Sequence, residues 1–345
     1  MGIKNLNKLI RNRCPEVFEE KDISDFSFKK IAIDTSLYVC KYKVIYGDEW
    51  FKNIFWLIAK LREEDIHSVF IFDSGAPKEK DVERQERKQQ QQFLKDKIFN
   101  LETALDIYRK TKNISPVLEK YTTKRFLTNH TELSIDKVEL DISKYKRQVI
   151  TKSTEDFKLV KKLLDILKIP YYDAPMEAEC LASDLCKRGI IDGVLSEDTD
   201  CLTYGSSILI SKFNPTTGKY IEISFENLLK KLKLSNDQFI DLCIMCGCDY
   251  NKNIPKIGPI TSYNLILQYK SIEGVETNTE LNTDILNYKR SRELFKNYER
   301  MSLSSVPYCG IPDKKEVLIF LKENGVFITE EYVEKSFIHT VFVFE

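Results

Sequence analysis

Ile31-Ala32-Ile33-Asp34 and Val69-Phe70-Ile71-Phe72-Asp73 are two short apolar runs, each closed by an aspartate. Both have the length of a buried strand, and the stretch between them, roughly residues 48–64, is patterned as a helix. Gly193-Val194-Leu195-Ser196 and Ile208-Leu209-Ile210-Ser211 read as two more strands. Amphipathic helices lie among them: Phe157, Val160, Leu163, Leu164 and Leu167 form one apolar stripe, and Ala178, Leu181, Ala182 and Leu185 a second. Strand, helix, strand, helix is the order of an α/β protein with a mostly parallel sheet flanked by helices.

Working outward, residues 76–152 break this pattern. They hold 18 basic and 12 acidic side chains and the run Gln89–Gln92, which makes them the cationic part of a chain whose net charge is zero. They read as a helical insertion between two halves of the sheet, without a core of their own. From about residue 225 the pattern is helical, with a turn-rich break from Asn251 to Pro259. Asp313 to Phe337 reads as two short helices around Asn324-Gly325. With 345 residues there is ample material for a core.

Lys plus Arg and Asp plus Glu number 53 each, which excludes a purely electrostatic nucleic-acid coat but leaves local patches open. Nine cysteines, an odd number without a secretory leader before them, point to free thiols in a reducing compartment. No run approaches a membrane span, and Leu6 stands where a myristoylation signal needs Ser or Thr. The expectation is an intracellular protein of nucleus or cytoplasm, or of a viral replication site if the source is a virus. Cys243, Cys246 and Cys248 lack the fourth ligand of a structural zinc site and read as small buried residues. Arg290 and Arg292 either touch DNA or solvate a helix.

Seven acids stand where chemistry would want them. Asp34 and Asp73 end strands, Glu177 and Glu179 open a helix after Asp173-Ala174-Pro175, Asp198 and Asp200 follow the strand at 193–196, and Asp249 ends an apolar helix. The crevice beyond the carboxyl ends of parallel strands is where ligands bind. An extended Asp198-Thr199-Asp200 would put both aspartates on one face. Two residues apart in a helix, Glu177 and Glu179 diverge by about 200°, so both reach one site only if the helix starts at them. Clustered carboxylates need cations, and an all-oxygen donor set suits Mg²⁺ or Mn²⁺; a pair of such ions serves phosphodiester hydrolysis.

Taken in order, Met1-Gly2-Ile3-Lys4-Asn5-Leu6, Ile31-Ala32-Ile33-Asp34, Phe72-Asp73, Ala174-Pro175-Met176-Glu177-Ala178-Glu179, Ser196-Glu197-Asp198-Thr199-Asp200-Cys201-Leu202 and Gly247-Cys248-Asp249-Tyr250 resemble the successive motifs of the flap endonuclease family, over roughly the whole chain. The resemblance implies a PIN-like α/β nuclease with a helical arch insertion and a helix–turn–helix DNA-binding element. It would be one nuclease domain over residues 1–345: sheet from 1–75 and 153–248, arch from 76–152, helical DNA-binding part from 249–345. The implied metal ligands are Asp34, Asp73, Glu177, Glu179, Asp198, Asp200 and Asp249, holding two Mg²⁺, with Mn²⁺ as substitute. Lys80 and Arg87, seven residues apart on one helical face, match the family's phosphate-polarising pair.

Gly2, Tyr38, Lys144, Lys146, Arg147, Lys152 and Gly258 complete the DNA-contact set. Tyr38 or Tyr42 would stack a base in place of the family's tyrosine, where this chain has Cys40. The hairpin before Gly258 resembles one whose backbone N–H groups and a bound K⁺ grip duplex phosphates. The chain departs from that pattern at Lys256, where a glycine is usual, and at Ile260-Thr261-Ser262, where basic residues are. No clamp-binding peptide is legible at Phe344-Glu345, so recruitment by a sliding clamp through that route is not expected. The function implied is a monomeric 5′ flap endonuclease or 5′→3′ exonuclease acting on branched DNA in replication, repair or recombination. A non-catalytic junction binder and a Holliday-junction resolvase are the alternatives.

Overall fold

The computed structural model describes residues 2–124, 131–149 and 153–337. Their strands are β1 (Glu19–Asp22), β2 (Lys30–Asp34), β3 (His67–Phe72), β4 (Thr122–Lys124), β5 (Thr131–Leu133), β6 (Tyr171–Asp173), β7 (Gly193–Leu195), β8 (Ile208–Ser211) and β9 (Lys219–Ser224). The chain divides into two compact units: one of residues 1–39, 51–80 and 153–345, the other of residues 40–50 and 81–152.

The first unit is built on a seven-stranded sheet in the order β1-β9-β8-β7-β2-β3-β6. The pairs β7–β2, β2–β3, β3–β6 and β7–β8 are parallel, and β8–β9 and β1–β9 antiparallel. The two central parallel strands are apolar in their middles, as strands buried on both faces are: Ile31, Ala32, Ile33, Val69, Phe70 and Ile71 are fully buried. Chain order reverses across β2, with β3 on one side and β7 on the other, so the crevice at its carboxyl end is a topological switch point. In register, Asp34 pairs with Ile71 of β3, and Ile33 with Leu195 of β7.

Both helical stripes face the core. Val160, Leu163 and Leu164 are buried on the helix Thr154–Ile166, whose start is fixed by a capping box between Ser153 and Asp156. Ala178, Leu181, Ala182 and Leu185 are buried on the helix Ala178–Lys187, which packs on β2, β3 and β7. The last segment forms the helices Lys314–Glu323 and Glu330–Phe337, with Gly325 between them at φ +76°. An extended strap after residue 297 is tied to the sheet: Lys30 Nζ donates to Val306 O at 2.6 Å, and Cys309 N to His67 Nδ1 at 3.1 Å.

The second unit corrects one expectation. Besides the helices Asp81–Thr111 and Ile135–Gln148 it contains the antiparallel pair β4–β5. It also has a hydrophobic core of its own, with Leu101, Leu105, Leu118, Tyr121, Leu133 and Val138 at its centre. The apolar residues that make it are spread over two helices and a turn, so no local run betrays them.

All nine cysteines are free thiols, and eight are buried. Burial pushes the Cys246 thiol up to about 12. Cys248 Sγ donates to Asn251 Oδ1 at 2.8 Å. No helix among the described residues is long and apolar enough to cross a membrane.

Candidate active site

Asp34 ends β2 and is buried; its Oδ1 accepts from Leu37 N at 3.0 Å and its Oδ2 from Ser196 Oγ at 3.1 Å. The Ser196 oxygen in turn accepts from Asp198 N at 3.1 Å, so one hydroxyl ties the acids of two neighbouring strands together. Asp73 follows β3 at the exposed rim, where its Oδ1 accepts from Ala178 N at 2.8 Å. That bond pins the N-terminus of the helix Ala178–Lys187. Glu177 is its extended N-cap residue and Glu179 lies in its first turn, which meets the condition for both to reach one site.

Asp198-Thr199-Asp200 is not extended. Thr199 has φ −75° and ψ −11°, and Asp200 opens the short helix Asp200–Thr203. Side-chain alternation is therefore not what joins the two aspartates. A turn does so, closed by Asp200 N donating to Asp198 Oδ1 at 3.0 Å. Residues 2–4 lock this turn from outside. Ile3 N donates to Thr199 Oγ1 at 2.9 Å, and Lys4 N to Gly247 O at 3.0 Å. Gly2 has φ +80°, and a Cβ on it would lie 2.1 Å from Asp198 Oδ1 and 2.7 Å from Asp200 Oδ1. Only glycine fits this approach.

Lys80 brings the first cation. Its Nζ is paired with Glu177 and lies 2.9 Å from Asp249 Oδ2 and 3.7 Å from Glu179 Oε1. Burial alone would lower the pKa of this ammonium, but Glu179, Glu177, Asp249 and Asp200 outweigh it and raise it. Burial, then the charge of Glu177, pushes Glu179 up; burial, then Asp198 and Asp249, pushes Asp200 up. The cluster is short of positive charge even with Lys80 in it. Asp200 Oδ1 is buried without a hydrogen-bond partner.

Two residues that the sequence reading left without a role complete the cluster. Tyr250 donates from its hydroxyl to Glu177 Oε2 at 2.9 Å, and the Tyr204 and Tyr250 oxygens are 2.5 Å apart, both buried. A carboxylate only accepts, and a phenol has one proton. Tyr250 therefore donates to Glu177 and Tyr204 donates to Tyr250. Tyr250 follows Asp249 directly in the sequence, which was the available signal.

The expected residues outside this cluster fare differently. Lys80 closes the 3-10 turn Lys78–Lys80, whereas Arg87 lies on the helix Asp81–Thr111 of the second unit and pairs with Glu83 one turn back. A shared helical face for Lys80 and Arg87 is thus not what the backbone provides. Tyr38 is fully buried and Tyr42 nearly so, so neither presents a ring face for a base to stack on; both point inward from the helix Thr35–Tyr46. Lys144, Lys146 and Arg147 are exposed on the helix Ile135–Gln148, Lys146 lying 2.7 Å from Glu102 and Lys144 3.7 Å from Asp141. Lys152 lies outside the described residues.

Gly258 is the N-cap of the helix Pro259–Tyr269 with φ −93°, and a Cβ there would meet nothing. Lys256 keeps a left-handed φ of +66°, so the hairpin holds a glycine-like backbone without the glycine. Arg292 is bound by Asp241 at 2.7 Å and Glu273 at 2.8 Å and is partly buried, while Arg290 is exposed and pairs with Glu79 at 2.7 Å.

The donors fit divalent cations in their chemistry: they are all oxygens, their charge is undercompensated, and Asp200 Oδ1 is left over. Among the described residues no three acids are gathered round one ion-sized point as they stand. Lys80, Tyr250 and backbone amides hold several of their oxygens instead.

A buried acid cluster over the switch point of a parallel sheet is the arrangement of a PIN-like nuclease, and comparisons with known proteins agree. Residues 1–93 match the XPG N-terminal domain and residues 168–249 the XPG I-region. The probable RAD2-like endonuclease 369L of Invertebrate iridescent virus 6 is 34% identical over 91% of this chain and 84% of its own. Flap endonuclease 1 of Heterostelium pallidum is 29% identical over 89% and 76%. In three dimensions the chain is similar to the catalytic core of Rad2 in complex with DNA substrate, with a TM-score of 0.69 over 98% of this chain and 99% of that one at 18% identity. The chain belongs to the XPG and RAD2-like endonuclease family, and it is a nuclease.

Proposed function

We propose that the protein is a structure-specific 5′ flap endonuclease that hydrolyses DNA phosphodiesters at junctions and depends on divalent metal, Mg²⁺ in the cell. The observation that carries the reading is the cluster of buried Asp34, Glu177, Glu179, Asp198 and Asp200, joined by half-buried Asp249 and with Asp73 at its rim. These seven would hold the metal. Bound divalent ions would supply an activated water and charge neutralisation at the scissile phosphate.

The chain's own residues have distinct tasks. Ser196, Thr199 and Tyr250 orient the acids through the hydrogen bonds described above. Lys80 places a fixed positive charge in the cluster, ready to polarise a phosphate and to stabilise charge developing in the transition state. Arg87 is assigned a phosphate contact on the resemblance alone. A non-catalytic junction binder would have no use for a buried acid cluster, which repels DNA unless metal neutralises it. The viral relative supports a role in viral or nuclear DNA processing.

The test is cleavage of a 5′-labelled flap oligonucleotide with Mg²⁺, Mn²⁺, Ca²⁺ or chelator. Wild type should cut near the branch with Mg²⁺ or Mn²⁺ only. Asp200→Asn should bind the flap at least as well, because repulsion falls, and fail to cut. Full activity of that variant, or cutting in chelator, defeats the two-metal reading; release of single nucleotides in place of a flap shifts it to an exonuclease.

A further inference from the structure

The hairpin between Asn251 and Gly258 does not fit the K⁺ ion that the family resemblance implies for it. A monovalent ion in a protein loop is held by backbone carbonyl oxygens turned inward, and here side-chain amides hold those oxygens. Asn253 Nδ2 donates to Ile254 O at 3.2 Å and to Ile257 O at 3.1 Å. Asn251 Nδ2 donates to Ile244 O at 2.8 Å and Lys252 O at 3.1 Å. All four partners are carbonyls, so the amide nitrogens must face them. Each NH₂ has two protons: Asn253 places both on the loop backbone, and Asn251 places one there and one on Ile244 at the end of the preceding helix Asn236–Cys246. Ile254 O also accepts from Ile257 N at 3.0 Å, which closes the turn.

We infer that Asn253 replaces the monovalent ion: its NH₂ bridges the carbonyls of Ile254 and Ile257 and presets the hairpin, so that duplex DNA is gripped without K⁺. The geometry around it agrees. Asn253 is half-buried, and its backbone N and Cβ pack at Gly247, where a Cβ would come within 3.1 Å and 3.4 Å of them. Gly247 also accepts from Lys4 N and directly precedes Cys248 and Asp249. The amide bridge therefore packs directly against the residue before the base of the acid cluster, so the hairpin is held there by the chain's own packing and hydrogen bonds instead of by a dissociable ion. Two neutral N–H bonds do the geometric work of the cation but bring no charge. The grip on the duplex then comes from the backbone N–H groups at the head of the helix Pro259–Tyr269.

This inference rests on the nuclease reading for its ligand, and the test separates the two. The affinity of the full chain for a flap oligonucleotide is measured in KCl, LiCl and tetramethylammonium chloride at equal ionic strength, with Ca²⁺ in place of Mg²⁺. Melting temperature without DNA is measured in the same salts. For wild type, affinity should agree within about twofold across the three salts, since a pure counterion effect is blind to cation identity, and melting should not respond to K⁺. Asn253→Ala frees both carbonyls. It should bind the flap more weakly in LiCl, recover in KCl, and melt higher in KCl than in LiCl. A wild-type affinity or melting temperature raised severalfold or by several degrees by K⁺ alone overturns the inference. So does Asn253→Ala that stays folded, binds like wild type and ignores K⁺. Loss of cleavage in every salt with these binding results intact would instead count against the nuclease reading.

Discussion

The Nζ of Lys80 lies 2.9 Å from Asp249 Oδ2, and the same nitrogen is paired with Glu177, so one buried ammonium bridges acids that are more than seventy residues apart in sequence. Lys80→Met keeps the chain length and removes the charge. Left facing one another, the carboxylates should destabilise the metal-free protein by about 3–5 kcal/mol, the usual cost of breaking a buried ion pair from one side. Mg²⁺ should restore most of that stability but not the rate. Turnover should fall about 10²-fold in kcat and kcat/KM together. A variant altered only in KM would make Lys80 an ordinary phosphate contact.

Gly2 offers a sharper steric test. Its left-handed φ and the 2.1 Å that a Cβ would leave to Asp198 Oδ1 mean that Gly2→Ala must push the Asp198, Thr199 and Asp200 side chains aside. The strain should cost about 1–3 kcal/mol, seen in melting curves. Single-turnover cleavage should slow by tenfold or more, because the carboxylates move while the substrate-binding surface does not. Normal rates in Gly2→Ala would show that residues 2–4 only decorate the cluster.

The direction of the tyrosine chain gives an ordered pair of variants. Tyr250→Phe keeps the ring, which packs 5.1 Å from Phe295, and leaves both Glu177 Oε2 and the Tyr204 hydroxyl without a partner. Tyr204→Phe removes only the second link. Tyr250→Phe should raise the Mg²⁺ concentration for half-maximal rate and lower kcat, with about 1–3 kcal/mol at stake for the buried groups left unpaired. Tyr204→Phe should do less on both counts. Equal effects of the two variants would contradict the assigned direction.

His67 should contribute one distinct part of the response to acid. Cys309 N donates to its Nδ1 at 3.1 Å, and Arg62 Nη1 lies 3.3 Å from the same nitrogen, so the ring is held neutral with its lone pair at Nδ1. Burial, then the charges of Arg62 and Lys30, lowers its pKa from 6.5 to about 4. Between those values the unfolded chain takes up a proton and the folded chain does not. Stability should therefore fall as pH drops from 6.5 to 4, by at most about 3 kcal/mol, and level off below. Denaturant melts of wild type and His67→Gln across that range should differ in slope, with the variant flatter; parallel curves would remove His67 from the account.

Much of this was legible in the sequence because short buried strands announce themselves. Ile31-Ala32-Ile33 and Val69-Phe70-Ile71-Phe72 form the two central parallel strands, and the acids that close them are at the crevice. Glu177 and Glu179 were readable once the helix start was treated as a condition. Other features needed three dimensions. The Asp198–Asp200 turn is set by Thr199 bonding to Ile3, far away in sequence. Tyr38 carries the same letters as a stacking platform, and only packing tells that it points inward. The core of the second unit joins Leu101 to Val138 across a hairpin, beyond the reach of any local periodicity.

The strand order carries a consequence for synthesis. β2 sits between β3 and β7, yet β7 begins at Gly193, and the last acid of the cluster and its tyrosine are Asp249 and Tyr250. Such long-range pairing forms late. A nascent polypeptide with its last third still on the ribosome holds Asp34, Asp73 and Lys80 without Tyr250 or Asp249 to complete them. The cluster that would hold metal is therefore complete only once the chain has been made past Asp249 and Tyr250.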